Sequence, residues 1–122
     1  MTKVLIVDDS SLTREFHKHI LKAAGFACVT AADGMEGLEK ATAEKFQIIL
    51  TDVNMQGMDG YEFTKRLRQN PDYDEVPIVI ISTEAKELDK QKGFSAGANL
   101  YLVKPTDASR IVESLKLLLG TR

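Results

Sequence analysis

A chain of 122 residues is sized for one domain, which buries roughly two-thirds of the surface its unfolded form would expose and so needs no staple. Hydrophobic residues at 43% and charged residues at 28% exclude a disordered or membranous composition. The 16 basic and 18 acidic residues are interspersed and give a net charge of -2, with no basic run to neutralise a track of phosphates, which argues against direct nucleic-acid binding.

Met1-Thr2-Lys3 leads into Val4-Leu5-Ile6-Val7, a run too short for a signal peptide or a membrane span, so the expected address is cytoplasmic, without membrane association. Asp8 and Asp9 close this first strand. Leu12, Phe16 and Ile20 then form the apolar stripe of a helix that stops at Gly25. His17 and His19 are two apart on that helix and face different ways, which argues against a shared metal or a phosphohistidine role and predicts surface or boundary positions. Ala27-Cys28-Val29-Thr30-Ala31 mixes in polarity and suits an edge strand. Its Cys28 is the only cysteine, so no internal disulfide forms, and its apolar neighbours predict a buried, inert thiol.

Asp33 with Glu36, and Asp59 with Glu62, have the spacing of capping boxes that open two further helices. Between them Ile48-Ile49-Leu50 reads as a strand closed by Asp52. Ile78-Val79-Ile80-Ile81 is a strand followed by Ser82 and Thr83, and the charged stretch from Glu84 to Lys92 reads as a solvated helix face. Leu100-Tyr101-Leu102-Val103 is the last strand and runs into Lys104-Pro105. Asp107 is placed to cap a final helix with a stripe of Ile111, Val112, Leu115, Leu118 and Leu119.

Continuous β-branched runs of this length are strands covered on both faces, as in parallel sheets. The order is strand then helix, five times, without a Pro-, Gly- or Ser-rich linker, and predicts one α/β domain over residues 1–122. Its fold is a doubly wound (βα)5 unit with a five-stranded parallel sheet in the flavodoxin-like order 2-1-3-4-5, whose ligand site lies beyond the carboxyl ends of the strands. If the first and third strands are neighbours, Asp8, Asp9 and Asp52 meet there. Carboxylates that close need a cation, and an all-oxygen set favours Mg²⁺ or Mn²⁺ over zinc.

The ordered set Val4-Leu5-Ile6-Val7-Asp8-Asp9-Ser10, Asp52-Val53-Asn54-Met55, Met58-Asp59-Gly60, Ile81-Ser82-Thr83-Glu84-Ala85, Gly97-Ala98 and Val103-Lys104-Pro105 resembles the receiver domains of two-component response regulators, nearly end to end. Among these it is most similar to the single-domain, CheY-like chemotaxis members. The resemblance implies that Asp52 is the phosphoacceptor. It also implies that Asp8 or Asp9, with Asp52 and the backbone carbonyl of Asn54, ligates Mg²⁺. Counting from Pro77 and from Lys104-Pro105 gives Ser82, rather than Thr83, the switch-hydroxyl position. Lys104 takes the cationic position, and Tyr101 the aromatic one whose ring turns inward on activation. Asn54 and Glu84 fall where the family tunes the hydrolysing water.

The partners so implied are a sensor histidine kinase as donor and an output protein such as a flagellar motor switch component, or else a histidine phosphotransfer domain, with a phosphatase as a further partner. Two features depart from the pattern. Gln56-Gly57 stands where proline is common, and Thr106 replaces the aromatic that often follows Lys-Pro, loosening the packing beside an expected cis bond at Lys104-Pro105. Two competing readings fit less well. An aspartyl phosphohydrolase would usually carry an acid where Asn54 stands and would need a substrate cap. A flavin carrier would need a phosphate-cradling loop where acidic Asp8-Asp9 follow the first strand.

Overall fold

The computed structural model describes residues 2–120. Five parallel strands, β1 (Lys3–Val7), β2 (Ala27–Ala31), β3 (Ile48–Thr51), β4 (Ile78–Ser82) and β5 (Leu100–Val103), alternate with helices α1 (Ser11–Ala23), α2 (Gly34–Ala43), α3 (Gly60–Leu67), α4 (Glu87–Ala96) and α5 (Ala108–Leu118). The sheet order is β2-β1-β3-β4-β5, the flavodoxin-like order expected. Central strands bury both faces, so their side chains divide by alternation between two cores. Val4, Ile6, Ile48, Leu50, Val79 and Ile81 pack with Leu21 of α1 and with Ile111 and Leu115 of α5. Leu5, Val7, Ile49 and Ile78 pack on the other face with Ala41 of α2 and with Phe63 and Leu67 of α3. No helix among the described residues is long and apolar enough to cross a membrane.

α1 is rotated from the expected stripe. Leu12 is 82% and Phe16 51% exposed, while His17 and Leu21 are buried and Ile20 packs partly against the core. His17 is therefore a core residue and not a surface or boundary one; His19 is exposed as expected. The inward row is simply the neighbouring helical row, with a histidine standing in it. Cys28 is only half-buried because β2 pairs on one side alone, and that partial burial pushes its thiol pKa up.

The helix starts also differ in detail. Asp33 accepts from the Glu36 N–H and Asp59 from the Glu62 N–H, both at 2.8 Å. The reciprocal half of each box is absent: Glu36 reaches one residue further back, to the Ala32 N–H at 2.5 Å, and Glu62 pairs with Arg66 at 2.8 Å. Asp107 occupies the N-cap position of α5 without a side-chain cap bond. Gly25 follows α1 with a φ of 99°, a conformation glycine adopts at no steric cost.

Candidate phosphoryl-transfer site

Register brings the acids together. Val7 pairs with Ala31 on one side and Thr51 on the other, so the residues that follow, Asp8 and Asp52, emerge side by side at the carboxyl edge. The backbone continues the pairing: the Asp8 N–H donates to the Ala31 carbonyl at 3.1 Å and the Asp52 N–H to the Val7 carbonyl at 3.0 Å. One carboxylate oxygen from each of Asp8, Asp9 and Asp52 lies within 4.8 Å of the others. Asp8 and Asp52 are buried, whereas Asp9 is open to solvent.

Each buried carboxylate is fixed by a backbone donor and shares one ammonium. Asp8 Oδ1 accepts from the Ser10 N–H at 2.9 Å, and Asp52 Oδ1 from the Val53 N–H at 2.7 Å. Lys104 Nζ lies 3.2 Å from Asp52 Oδ2 and 3.5 Å from Asp8 Oδ2. Lys104 is delivered there by β5, and its backbone N–H donates to the Ser82 carbonyl at 2.8 Å. The Lys104-Pro105 peptide is cis, as expected.

Glu84 ties the opposite wall through three different groups. Its N–H donates to the Ser82 hydroxyl at 3.1 Å, its carbonyl accepts from the Tyr101 hydroxyl at 2.8 Å, and its carboxylate accepts from the Asn54 amide at 3.2 Å. Ser82 is fully buried and Thr83 exposed. The Tyr101 ring is already buried, although the resemblance implied an inward turn only on activation. Gly93 makes the room, since a Cβ there would lie 2.9 Å from Tyr101 Cδ2. Thr106 lines an apolar cleft of about 420 Å³ with Phe16, His17 and Pro105. Gly57 takes a φ of 81° in the exposed loop after Asn54.

The protein-family model for the response regulator receiver domain matches residues 4–116. The chain is a response regulator receiver domain. This receiver domain is 36% identical over 121 residues to chemotaxis protein CheY1 of Helicobacter pylori, covering 98% of both chains. It superposes on the crystallised chemotaxis protein CheY4 of Vibrio cholerae with a TM-score of 0.93 and 42% identity, covering 97% of this chain and 98% of that one. It is also 39% identical over 102 residues to the gliding motility regulatory protein of Myxococcus xanthus, a match covering 84% of this chain and 13% of that protein. It is thus a CheY-like receiver domain, a signalling switch of the kind that works with histidine kinases and downstream targets.

Receiver domains typically bind Mg²⁺, and the donor set of this one fits a hard divalent cation. Of the three carboxylates the two buried ones share the Lys104 ammonium, and among the described residues the cluster contains neither nitrogen nor sulfur donors. Several neighbours of the site were not assigned to it by the sequence. Arg14 donates to the Asp8 carbonyl at 2.6 Å. His17 packs near enough to feel Lys104: burial first, then that ammonium, lower its pKa to about 4, and its Nδ1 has no hydrogen-bond partner among the described residues. Gly60 abuts the backbone of Asp52, and Tyr61 packs beside Tyr101.

Proposed function

We propose that residues 1–122 act as one phosphorylation switch in which Asp52 accepts a phosphoryl group from the phosphohistidine of a sensor histidine kinase. The observation that carries this reading is Lys104 Nζ at 3.2 Å from Asp52 Oδ2, within an all-oxygen cluster at the edge of the sheet. Asp52 Oδ2 attacks phosphorus in line. The P–N bond breaks, its electron pair returns to the imidazole nitrogen, and that nitrogen takes a proton from solvent. Lys104 stabilises negative charge on the transferring oxygens, while the Val53 N–H keeps Asp52 oriented. Mg²⁺, held by Asp52 and the Asn54 carbonyl with Asp9 or Asp8, would add charge neutralisation at the same oxygens.

The new acyl phosphate offers acceptor oxygens to the Ser82 hydroxyl and to nearby N–H groups of Asn54 or Thr83. Drawing Ser82 inward pulls Glu84, and through the Glu84 carbonyl the Tyr101 hydroxyl, so the face formed by α4, β5 and α5 changes shape. A protein partner reads that face. Likeness to CheY1 and CheY4 supports chemotaxis as the setting, with a motor switch component as the output partner. The Asn54–Glu84 bond spans the mouth where a hydrolysing water must enter. Water attack there breaks the O–P bond, returns the Asp52 carboxylate and releases inorganic phosphate, giving a short-lived signal.

Incubation with acetyl phosphate and Mg²⁺ followed by intact-mass measurement tests the reading. One phosphoryl mass is expected on the wild-type chain and none on Asp52→Asn. Equal uptake by the variant overturns the assignment, and a phosphoryl lifetime of many hours counts against self-dephosphorylation.

A further inference from the structure

Because the Tyr101 ring is already buried, its position alone leaves α4 without a device that marks the resting state. α4 needs one. Its buried residues are only Gly93 and Ala96, so few contacts seat it. One is the close approach of Gly93 to Tyr101 and to Ile80, whose Cδ1 would lie 3.1 Å from a Cβ at that position.

The other contact comes from α3. The Tyr61 hydroxyl donates to the Asp89 carbonyl, in the first turn of α4, at 3.1 Å. Asp89 is the node of that turn, since its carboxylate also accepts from the Lys86 N–H at 3.2 Å while the Lys86 side chain makes no cap bond. Burial, and then the adjacent Tyr101, push the Tyr61 pKa upward, so its hydroxyl remains a donor. Tyr61 also packs on a small buried cluster of Val53, Ile80, Ala98 and Tyr101, separate from the two main cores. Val53 is the residue whose N–H holds Asp52, so a contiguous path runs from the acidic site to α4.

We propose that Tyr61 is a second positioning tyrosine of the switch: through the Asp89 carbonyl it tethers α4 in the resting state, and phosphorylation of Asp52 releases that tether. The release step rests on Asp52 being the phosphoacceptor. Glu84 and Asp89 are five residues apart, so a loop drawn toward Asp52 pulls on the first turn of α4. Tyr61 cannot follow, because Phe63, Thr64 and Leu67 of its own helix are fully buried. The bond must then lengthen.

Tyr61→Phe removes the hydroxyl and keeps the ring, so the fold survives. Amide hydrogen exchange over α4, measured without any phosphodonor, should be roughly 2- to 10-fold faster in the variant, as loss of one hydrogen bond implies. Its initial phosphoryl uptake from limiting acetyl phosphate with Mg²⁺ should rise severalfold, because a conformation favoured by phosphorylation in turn favours phosphorylation. A merely structural role would leave uptake unchanged or lower it. Once phosphorylated, variant and wild-type chains should show the same exchange in α4. Unchanged α4 protection in the resting variant overturns the tether, as does unchanged or slower uptake or a difference that persists after phosphorylation. If the wild-type chain gains no phosphoryl mass, the phosphoacceptor reading and the release step both fall, and mass tells that failure apart from failure of the tether.

Discussion

Gly60→Ala should damage both stability and the site, against the usual preference of helices for alanine by about 1 kcal/mol. A Cβ on Gly60 would lie 2.0 Å from the Asp52 carbonyl oxygen, and 2.9 Å from both the Asp52 carbonyl carbon and the Val53 Cα. All three are backbone atoms, so no side chain can swing aside. An ordinary C···O approach is about 3.3 Å or more, so the start of α3 and the chain after β3 must separate by more than about 1 Å. That separation breaks the bond from the Gly60 N–H to the Val53 carbonyl, now 2.8 Å, and displaces Asp52 from Lys104. A lost buried hydrogen bond at about 1–3 kcal/mol plus overpacking at about 1–3 kcal/mol, less the helical preference, leaves a net cost of about 1–5 kcal/mol. With a urea m-value of about 2 kcal/mol/M, the unfolding midpoint should fall by roughly 0.5–2.5 M, read by circular dichroism. Phosphoryl uptake per folded molecule should fall as well. A midpoint within about 0.3 M of the parent, with uptake unchanged, would refute the steric argument.

Lys104→Met keeps an apolar stem but removes the ammonium at Asp52, and single-turnover phosphoryl uptake should slow by about 10²- to 10³-fold. A loss of less than about threefold would show that the charge is not used. His17 is held neutral in the fold down to about pH 4, whereas the unfolded chain takes its proton near pH 6.5. Stability from this group is therefore lost as pH falls through that window, and His17→Leu should spare about 2 kcal/mol of the loss between about pH 7 and 4.5. Parallel pH profiles of the urea midpoint in parent and variant would contradict it. Arg68→Ala deletes a guanidinium that donates to the carbonyls of Tyr73, Val76 and Gly97 and to the Asn99 side chain. It should cost about 2–4 kcal/mol while the folded variant still takes up phosphoryl at the parent rate; a neutral midpoint would refute the clamp.

The strands were legible because burial on both faces of a parallel sheet leaves an unbroken apolar run, and four such runs became β1, β3, β4 and β5. The acidic edge was legible for the same reason: a charged residue that ends such a run must emerge at the rim. Rotation of a helix is harder to read, because a 3.6-residue period shows that a stripe exists without choosing between adjacent rows. In α1 the core chose His17 and Leu21 over Leu12 and Phe16. Spacing likewise cannot tell whether a glutamate turns back to the helix start or reaches forward to an arginine, as Glu62 does. Tyr61 against Asp89 is a contact between segments distant in sequence and leaves no mark in its own neighbourhood, while the motif that contains Gly60 does not say that this glycine abuts Asp52.

Lys104 reaches Asp52 across 52 residues of sequence and Asp8 across 96. The acidic half of the site is thus complete with β3, while the Lys104 ammonium arrives with β5, the edge strand that pairs with β4 alone. Such distant pairings close late in folding, since the loop entropy of the intervening chain must be overcome first. A chain still emerging from synthesis, or one with its last strand undocked, holds the acidic cluster without the Lys104 ammonium that lies against both buried carboxylates. On the proposed mechanism, fast phosphoryl acceptance would therefore report that β5 has docked.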